Sequence, residues 1–446
     1  MLTQEQQDVV DAVNETTDKI ITVQAKAGTG KSRTSKAVVE FLKPKTGFYT
    51  AFNKGIVEDS SKDLHNLIES KTFHALAYKY IRPSRPITCF SYHDIKEDLP
   101  YSAKKFIIES LDEFYRSSFS DLEAFLEEHC YQIPELHSLI IEYADAMLNN
   151  KVNPTFNYML KCLHLMLLNG DISIDLDMII YDEVQDCTAV TLEIFKLINA
   201  KKKLILGDKF QNIYSYMNTV NGFDLLTNTR ELNLTKSFRC NPVIAEDVQS
   251  YGRKWLDTNF QFTGNENLTE EEDGSIVYLS RTNSAMIERM AKLLQTGQSF
   301  STIRSIDDIF TLPITLIYAA SGKPVSVYRY KYLEREYLKF TQQTQYTKFF
   351  EYCLRLNIEE LSAAITALRK LSDLDINIFD LKNKAKEMKA NKNIILSTTH
   401  AFKGLEMSTA VLDSGMAKSI KSESATQQDF NLYYVAMTRA KNKLIK

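Results

Sequence analysis

Several absences narrow the possibilities before any motif is considered. No apolar run in the 446 residues approaches the roughly 18 needed to cross a bilayer, so no membrane-spanning segment is expected. Cysteine is sparse: Cys89, Cys130, Cys162, Cys187, Cys240 and Cys353 are scattered without paired spacing. That argues against a disulfide framework or a zinc site and for a reducing compartment. The seven histidines form no ligand pattern. Positive charge is not in excess, with 54 Lys and Arg against 57 Asp and Glu and a net charge of −3. The total therefore carries no sign of nucleic-acid binding, although a local basic groove would suffice for it. There is no internal repeat or low-complexity segment. The opening residues, Met1-Leu2-Thr3-Gln4-Glu5, are polar and acidic, so a cytoplasmic location without a signal peptide is expected.

What is present is an ordinary globular composition, 44% hydrophobic and 25% charged, over a length that predicts two or more domains. The most informative segment is Val23-Gln24-Ala25-Lys26-Ala27-Gly28-Thr29-Gly30-Lys31-Ser32. An apolar strand over 19–24 runs into small residues that let backbone N–H groups approach phosphate oxygens. A helix begins at Ser32, and its N-terminus favours the charge of a triphosphate. Lys31 would reach the β- and γ-phosphates, and the Ser32 hydroxyl would hold Mg²⁺. Ala25 stands where such loops usually carry their first glycine. A second apolar strand, Met178-Ile179-Ile180-Tyr181, ends at Asp182-Glu183. Beside a phosphate loop, Asp182 becomes a Mg²⁺ partner and Glu183 the group that polarises attacking water.

Five short apolar runs read as strands of one parallel sheet: 19–24, 47–52, 177–181, 203–206 and 232–235. Ligands sit at the carboxyl ends of such strands, which directs Gly28, Gly30, Asn53, Asp182, Gly207, Asp208 and Arg239 toward one crevice. Between 81 and 172 helical periodicity replaces the strands, over far more chain than one crossover needs, so this is an inserted helical subdomain. A second α/β unit begins after the acidic Glu270-Glu271-Glu272-Asp273-Gly274, with strands over 275–280 and 393–397. The largely helical stretch 309–389 interrupts it. The expected organisation is therefore 1–80 with 173–260, the insertion 81–172, 261–308 with 390–446, and a shorter insertion 309–389.

The order of short motifs along nearly the whole chain resembles superfamily 1 helicases of the UvrD/Rep type, most of all the F-box DNA helicase branch, without the F-box. The resemblance implies two RecA-like P-loop NTPase domains with parallel sheets, each carrying a mainly helical insertion. Leu2-Thr3-Gln4-Glu5-Gln6 looks like the adenine-reading motif, with Gln6 as its glutamine. Ala27, Gly28, Thr29, Gly30, Lys31, Ser32 and Arg33 match the phosphate loop and its flank. Asp182-Glu183-Val184-Gln185-Asp186 matches the acidic motif. Within Gly207-Asp208-Lys209-Phe210-Gln211-Asn212-Ile213-Tyr214, Gln211 would sense the γ-phosphate. In Leu234-Thr235-Lys236-Ser237-Phe238-Arg239, Phe238 would stack on adenine and Arg239 would contact the γ-phosphate. Thr399-His400-Ala401-Phe402-Lys403-Gly404-Leu405-Glu406 places Gly404 and Glu406 near the nucleotide, with Glu406 at the ribose. Tyr434-Val435-Ala436-Met437-Thr438-Arg439-Ala440 supplies Arg439 as an arginine finger reaching a triphosphate held by the first unit.

For DNA, the resemblance implies Phe52, Asn53 and Lys54, then Thr72, Phe73 and His74, the stacking aromatics Tyr214 and Tyr216, and Arg281, Asn283, Thr399 and His400 of the second unit. The motif after Tyr216 departs from the family, with Met217-Asn218-Thr219 where an Arg-Gly pair is usual. The implied activity is ATP- and Mg²⁺-dependent 3′ to 5′ translocation on single-stranded DNA and at junctions, with unwinding, in replication, recombination or repair. A monomer is expected, with a recombinase or single-strand-binding protein as protein partner, no membrane contact, and a bacterial or phage-infected cell as setting. No nuclease domain, F-box or partner-binding tail is expected. Two rivals remain at this point: a translocase that strips recombinase filaments with little unwinding, and a nucleotide-gated DNA-binding module.

Overall fold

A computed structural model describes residues 2–15, 20–52, 54–64, 67–215, 218–227, 229–269, 273–327, 330, 333, 346–356 and 358–446. Asn53 and Tyr216, both expected at the DNA, lie outside the described residues. The chain divides into two compact units, Met1–Lys236 and Ser237–Lys446. The stretch 237–260, which the sequence reading joins to the first unit, therefore packs with the second. No described helix is long and apolar enough to cross a membrane.

The first unit is built on a six-stranded sheet. Its strands are β1 (Ile20–Ala25), β2 (Gly47–Ala51), β3 (Glu69–Ser70), β4 (Asp175–Asp182), β5 (Asn199–Gly207) and β6 (Arg230–Leu234). They lie in the order β3-β2-β4-β5-β1-β6, and every pairing is parallel. The five strands expected from apolar runs are all there; the two-residue β3 adds an edge that no run announces.

Parallel strands must be covered on both faces, and alternate residues supply the two covers. Ile180 and Tyr49 join one core with Val9, Val13, Val38 and Val57, from the helices Gln4–Glu15, Lys31–Leu42 and Lys54–Leu64. Their neighbours Ile179 and Phe48 join the opposite core. It is filled by Leu76, Leu163 and Phe195 from the helices Phe73–Ile81, Phe156–Leu168 and Ala189–Leu197. The helix 156–168 thus covers the sheet, although it falls within the expected insertion. The insertion's own core is separate, with Ile107, Leu111, Phe125, Ile140 and Met147 from the helices Tyr101–Arg116, Leu122–His129 and His137–Leu148.

The second unit holds a five-stranded sheet of β7 (Ile276–Ser280), β8 (Ser301–Thr302), β9 (Ile394–Thr398), β10 (Met407–Leu412) and β11 (Ala440–Ile445). Their order is β11-β10-β7-β9-β8, again all parallel. One core joins Leu396 to Met286 and Met290 of the helix Asn283–Gln295, Phe310 of Ile306–Ala320, and Leu381 of Ile378–Glu387. A satellite core of Leu316, Phe349, Leu361 and Ile365 belongs to the second insertion. The helices Pro242–Trp255 and Gln427–Met437 are tied together by Trp255 stacked on Phe430 at 5.1 Å and by the Tyr251 hydroxyl donating to Phe430 O at 3.0 Å.

Candidate functional site

In the first unit β1 runs straight into the loop. Ala25 is the last strand residue, buried and paired with Leu234, so the missing glycine falls where the backbone is still extended. The turn is made after it, where Gly28 and Gly30 have φ of 73° and 83°, values that favour glycine. Thr29 fastens the turn, its hydroxyl donating to Lys26 O at 2.8 Å. Gly30 caps the helix Lys31–Leu42 without a side-chain hydrogen bond, so no side chain blocks the first-turn N–H groups. Gln6 is buried beneath the loop. Its Nε2 donates to Thr29 O at 3.2 Å and its Oε1 accepts from Thr3 N at 3.1 Å. Its amide is therefore engaged with the protein itself. Arg33 is exposed on the helix that follows.

Lys31 points from this helix to the end of β4, where its Nζ lies 2.8 Å from Glu183 Oε1. Burial alone would lower the Lys31 pKa, but the Glu183 and Asp182 carboxylates outweigh it and raise it. Asp182 is pushed the other way for a carboxylate. Burial first, then the charge of Glu183, raises its pKa to about 6, against the pull of Lys31 and the hydrogen bond from Tyr49. That bond runs from the Tyr49 hydroxyl to Asp182 Oδ2 at 2.8 Å; the same hydroxyl meets Ser60 Oγ at 2.8 Å. Glu183 sits at φ 54°, in the left-handed region, with its N–H donating to Asp182 Oδ1 at 2.8 Å.

From Glu183 a polar chain continues inward. Gln185 Nε2 donates to Glu183 Oε2, and Gln185 Oε1 accepts from Asp208 N at 3.1 Å. The Asp208 carboxylate gathers Gln211 Nε2 at 2.9 Å, Gln24 Nε2 at 3.3 Å and Phe210 N at 3.3 Å. Gly207 makes this possible, since a Cβ there would lie 2.4 Å from Gln185 Oε1. Lys26 and Lys209 both sit over the Phe210 ring, at 4.3 and 4.9 Å from its centroid. The structure thus joins Lys31, Asp182, Glu183 and Gln211 in one network. Sequence reasoning gave no role there to Tyr49, Gln24 or Gln185. Their signals were a polar residue inside an apolar strand (Gln24, Tyr49) and the glutamine of the acidic motif.

Residues expected at DNA fall into distinct settings. Phe52 and Tyr214 stack on each other at 6.0 Å, 20° from parallel. Lys54 is exposed and forms an ion pair with Glu58 at 3.2 Å. Thr72 caps the helix Phe73–Ile81, its hydroxyl accepting from Ala75 N. Phe73 is 3% exposed and packed against Tyr181 and Phe48, at the wall of the cavity that Thr72 and His74 also line. His74 lies edge-on to Phe156 and meets Asn157 Oδ1 at 3.4 Å; burial lowers its pKa and keeps the ring neutral near pH 7. Phe52, Thr72, His74, Arg116 and Asn157 line a cavity of about 270 Å³.

In the second unit Arg239 donates from Nε to Glu406 Oε2 at 2.7 Å and from Nη1 to Thr438 O at 3.2 Å. Burial would raise the Glu406 pKa, but Arg239 and then Lys441 outweigh it and lower it. Phe238 is 37% exposed. Gly404 has φ 92°. Arg439 is fully buried, and its partners include Val435 O at 2.8 Å, Leu405 O at 3.3 Å and Thr438 Oγ1 at 3.1 Å. A finger role would require it to leave them. Thr399 is buried, its hydroxyl turned onto Met416 Sδ. His400 is half-buried, Arg281 is paired with Asp429, and Asn283 holds a buried Oδ1 with no hydrogen-bond partner.

A phosphate loop after the first strand of an all-parallel sheet, with a Lys–Glu pair and a buried Asp at the end of the next strand but one, defines a P-loop NTPase. The resemblance is wider than that loop. The UvrD-like helicase C-terminal domain model matches residues 134–445 and an AAA domain model matches residues 7–217, and the chain belongs to the UvrD-like helicase family. Its two parallel sheets with interleaved helices are the RecA-like pair of that family. F-box DNA helicase 1 of Gallus gallus is 25% identical over all of this chain and 49% of its own length. F-box DNA helicase protein 1 of Schizosaccharomyces pombe is 24% identical over 96% of this chain and 55% of its own length. The chain therefore spans about half the length of the curated relatives it matches.

Proposed function

We propose that this chain is an ATP-dependent translocase on single-stranded DNA that moves 3′ to 5′ and opens duplex at junctions, acting in replication, recombination or repair. The observation that carries the reading is the continuous polar chain Lys31–Glu183–Gln185–Asp208–Gln211. It connects the phosphate loop to the segment that ends at the Phe52–Tyr214 stack. A change at the γ-phosphate that moves Lys31 off Glu183 is felt at Gln211 through hydrogen bonds alone, three residues before an aromatic suited to stacking on bases. Polarity and the unwinding step rest on the family.

The donors present suit Mg²⁺, a hard cation that takes oxygen ligands and is held by one or two protein groups plus substrate phosphates. Ser32 offers a hydroxyl and Asp182 a carboxylate; among the described residues no cluster of three or more acidic, His or Cys side chains offers a metal a cage of its own. When bound, the ion would neutralise charge on the phosphates. Tyr49 orients the Asp182 carboxylate, Lys31 takes the β- and γ-oxygens, and Glu183, once released by Lys31, accepts a proton from the attacking water. Arg239 and Arg439 are assigned to charge stabilisation during turnover, and Glu406 to the ribose. The strand partner is single-stranded DNA; a recombinase or single-strand-binding protein is the protein partner proposed.

The test is the ATPase rate with and without single-stranded DNA, for the wild type and Glu183→Gln, followed by strand displacement from substrates of each polarity. Stimulation that is lost in the variant supports the reading. A wild-type rate indifferent to DNA overturns it.

A further inference from the structure

The first turn of the helix Gln4–Glu15 fastens two parts of the first unit that are remote in sequence. Glu5 is half-buried and reaches Thr235, 230 residues further along. One carboxylate oxygen accepts from Thr235 N at 2.8 Å and the other from the Thr235 hydroxyl at 2.6 Å. Thr235 directly follows β6, an edge strand paired with β1 alone. Most of β6 is exposed, so little packing fixes where it ends; its last residue, Leu234, accepts at O from Lys26 N at 3.0 Å. The next side chain on the helix, Gln6, holds Thr29 O of the phosphate loop, and Thr3 closes the turn by accepting from Gln6 N at 3.2 Å. Beyond Thr235 the chain passes into the second unit between the exposed Lys236 and the buried Ser237. Ser237 N donates to Thr263 O at 2.8 Å, and Ser237 Oγ accepts from Arg239 N at 3.3 Å and Cys240 N at 3.4 Å. The first unit thus holds the chain up to Thr235, and the second already holds it at Ser237.

We propose that Glu5 is a positioning residue: its carboxylate clamps Thr235 and so fixes where the chain leaves the first unit on its way to Phe238 and Arg239. The inference rests on the assignment of Arg239 to the nucleotide in the functional reading above. A carboxylate suits the task because it is acceptor-only and takes two donors of one residue at once, each in a charge-assisted bond. With Thr235 released, the end of the edge strand frays and the pliable connection grows beyond Lys236. Arg239 then loses a defined starting point, and a misplacement of about 1 Å costs up to about a hundredfold in rate. Glu5 acts through Thr235 and not on the nucleotide. Its neighbour Gln6 places the phosphate loop and the connection under the same helical turn.

The test is basal ATPase kinetics on the full chain for Glu5→Gln, Thr235→Val, Thr235→Ser and the pair Glu5→Gln/Thr235→Val, with Arg239→Ala alongside. Glutamine keeps the length of Glu5 but turns an NH₂ group toward one of the two donors. In Glu5→Gln kcat should fall by about ten- to a hundredfold, while affinity for a non-hydrolysable ATP analogue changes little. Thr235→Val should reproduce part of the loss, Thr235→Ser should turn over like the wild type, and the pair should be no worse than Glu5→Gln alone. Limited trypsin digestion gives a readout independent of turnover. Cleavage after Lys236 should rise by about tenfold or more in Glu5→Gln, with other sites little changed. Analogue affinity that falls as far as kcat, with cleavage rising at every site, overturns the clamp in favour of general packing. Additive losses in the pair overturn it in favour of another partner for Glu5. Normal turnover in Glu5→Gln, while Arg239→Ala is impaired, overturns the clamp and leaves the functional reading standing. Turnover that survives Arg239→Ala overturns the assignment of Arg239 and the clamp together.

Discussion

Glu183→Gln should tighten triphosphate binding while it stops hydrolysis. Before Lys31 can take a phosphate it must leave Glu183, whose Oε1 is 2.8 Å away. At an effective dielectric of about 20, charges at that distance attract by about 6 kcal/mol, a gross figure. The two side chains are 14% and 15% exposed, so solvent and the cost of desolvation remove much of it. A net penalty of about 1–3 kcal/mol for breaking the pair is the reasonable remainder, equivalent to about 5- to 150-fold in affinity. Glutamine keeps the shape but not the charge, so this penalty largely disappears. Titration with Mg²⁺ and a non-hydrolysable ATP analogue, compared between wild type and variant, measures it without interference from turnover. Equal or weaker affinity in the variant would refute the idea that Glu183 competes with the nucleotide for Lys31.

Three other perturbations test separate parts of the structure. Gly207→Ala pushes a Cβ to 2.4 Å from Gln185 Oε1, so it should cost about 1–3 kcal/mol in urea unfolding and depress DNA-stimulated turnover more than analogue affinity. Arg439→Ala should lower turnover by about 10³–10⁵ while sparing analogue binding if the arginine acts as a finger; loss of thermal stability with near-normal turnover would assign it to packing instead. Burial lowers the Lys161 pKa to about 7, so the folded chain gives up a proton that the unfolded chain keeps to about 10.4. Stability should therefore rise with pH between those values, and Lys161→Met should flatten that rise in urea midpoints measured across the range.

What the sequence discloses depends on whether a feature is local. A run such as Met178-Ile179-Ile180-Tyr181 is apolar because both faces of its strand are covered, and the chain reports that directly. β11, Ala440–Ile445, contains two lysines and an asparagine and lies at the edge of its sheet, so no apolar run betrays it. The phosphate loop and acidic motif are legible because each is contiguous. Tyr49 and Gln24 are not, because their roles are set by register: β2 lies beside β4 with Ala51 opposite Asp182, and β1 beside β5 with Gln24 opposite Gly207. Nor is the division after Lys236 legible. It follows from Asn241, whose N–H bonds Lys441 O and whose side chain bonds Asn442 O, two hundred residues further along. Phe73 and Thr399 match motifs yet are buried, which a motif match alone does not disclose.

The backbone of Glu183 has a further consequence. A side chain held at φ 54° costs about 1–2 kcal/mol, which glycine at the same place would not incur. Selection for thermal robustness alone would thus drift toward glycine at the position that the proposed mechanism reserves for a carboxylate. Under that mechanism, consensus or stability-guided redesign of this chain should hold residue 183 fixed, because there the more durable protein would be the inert one.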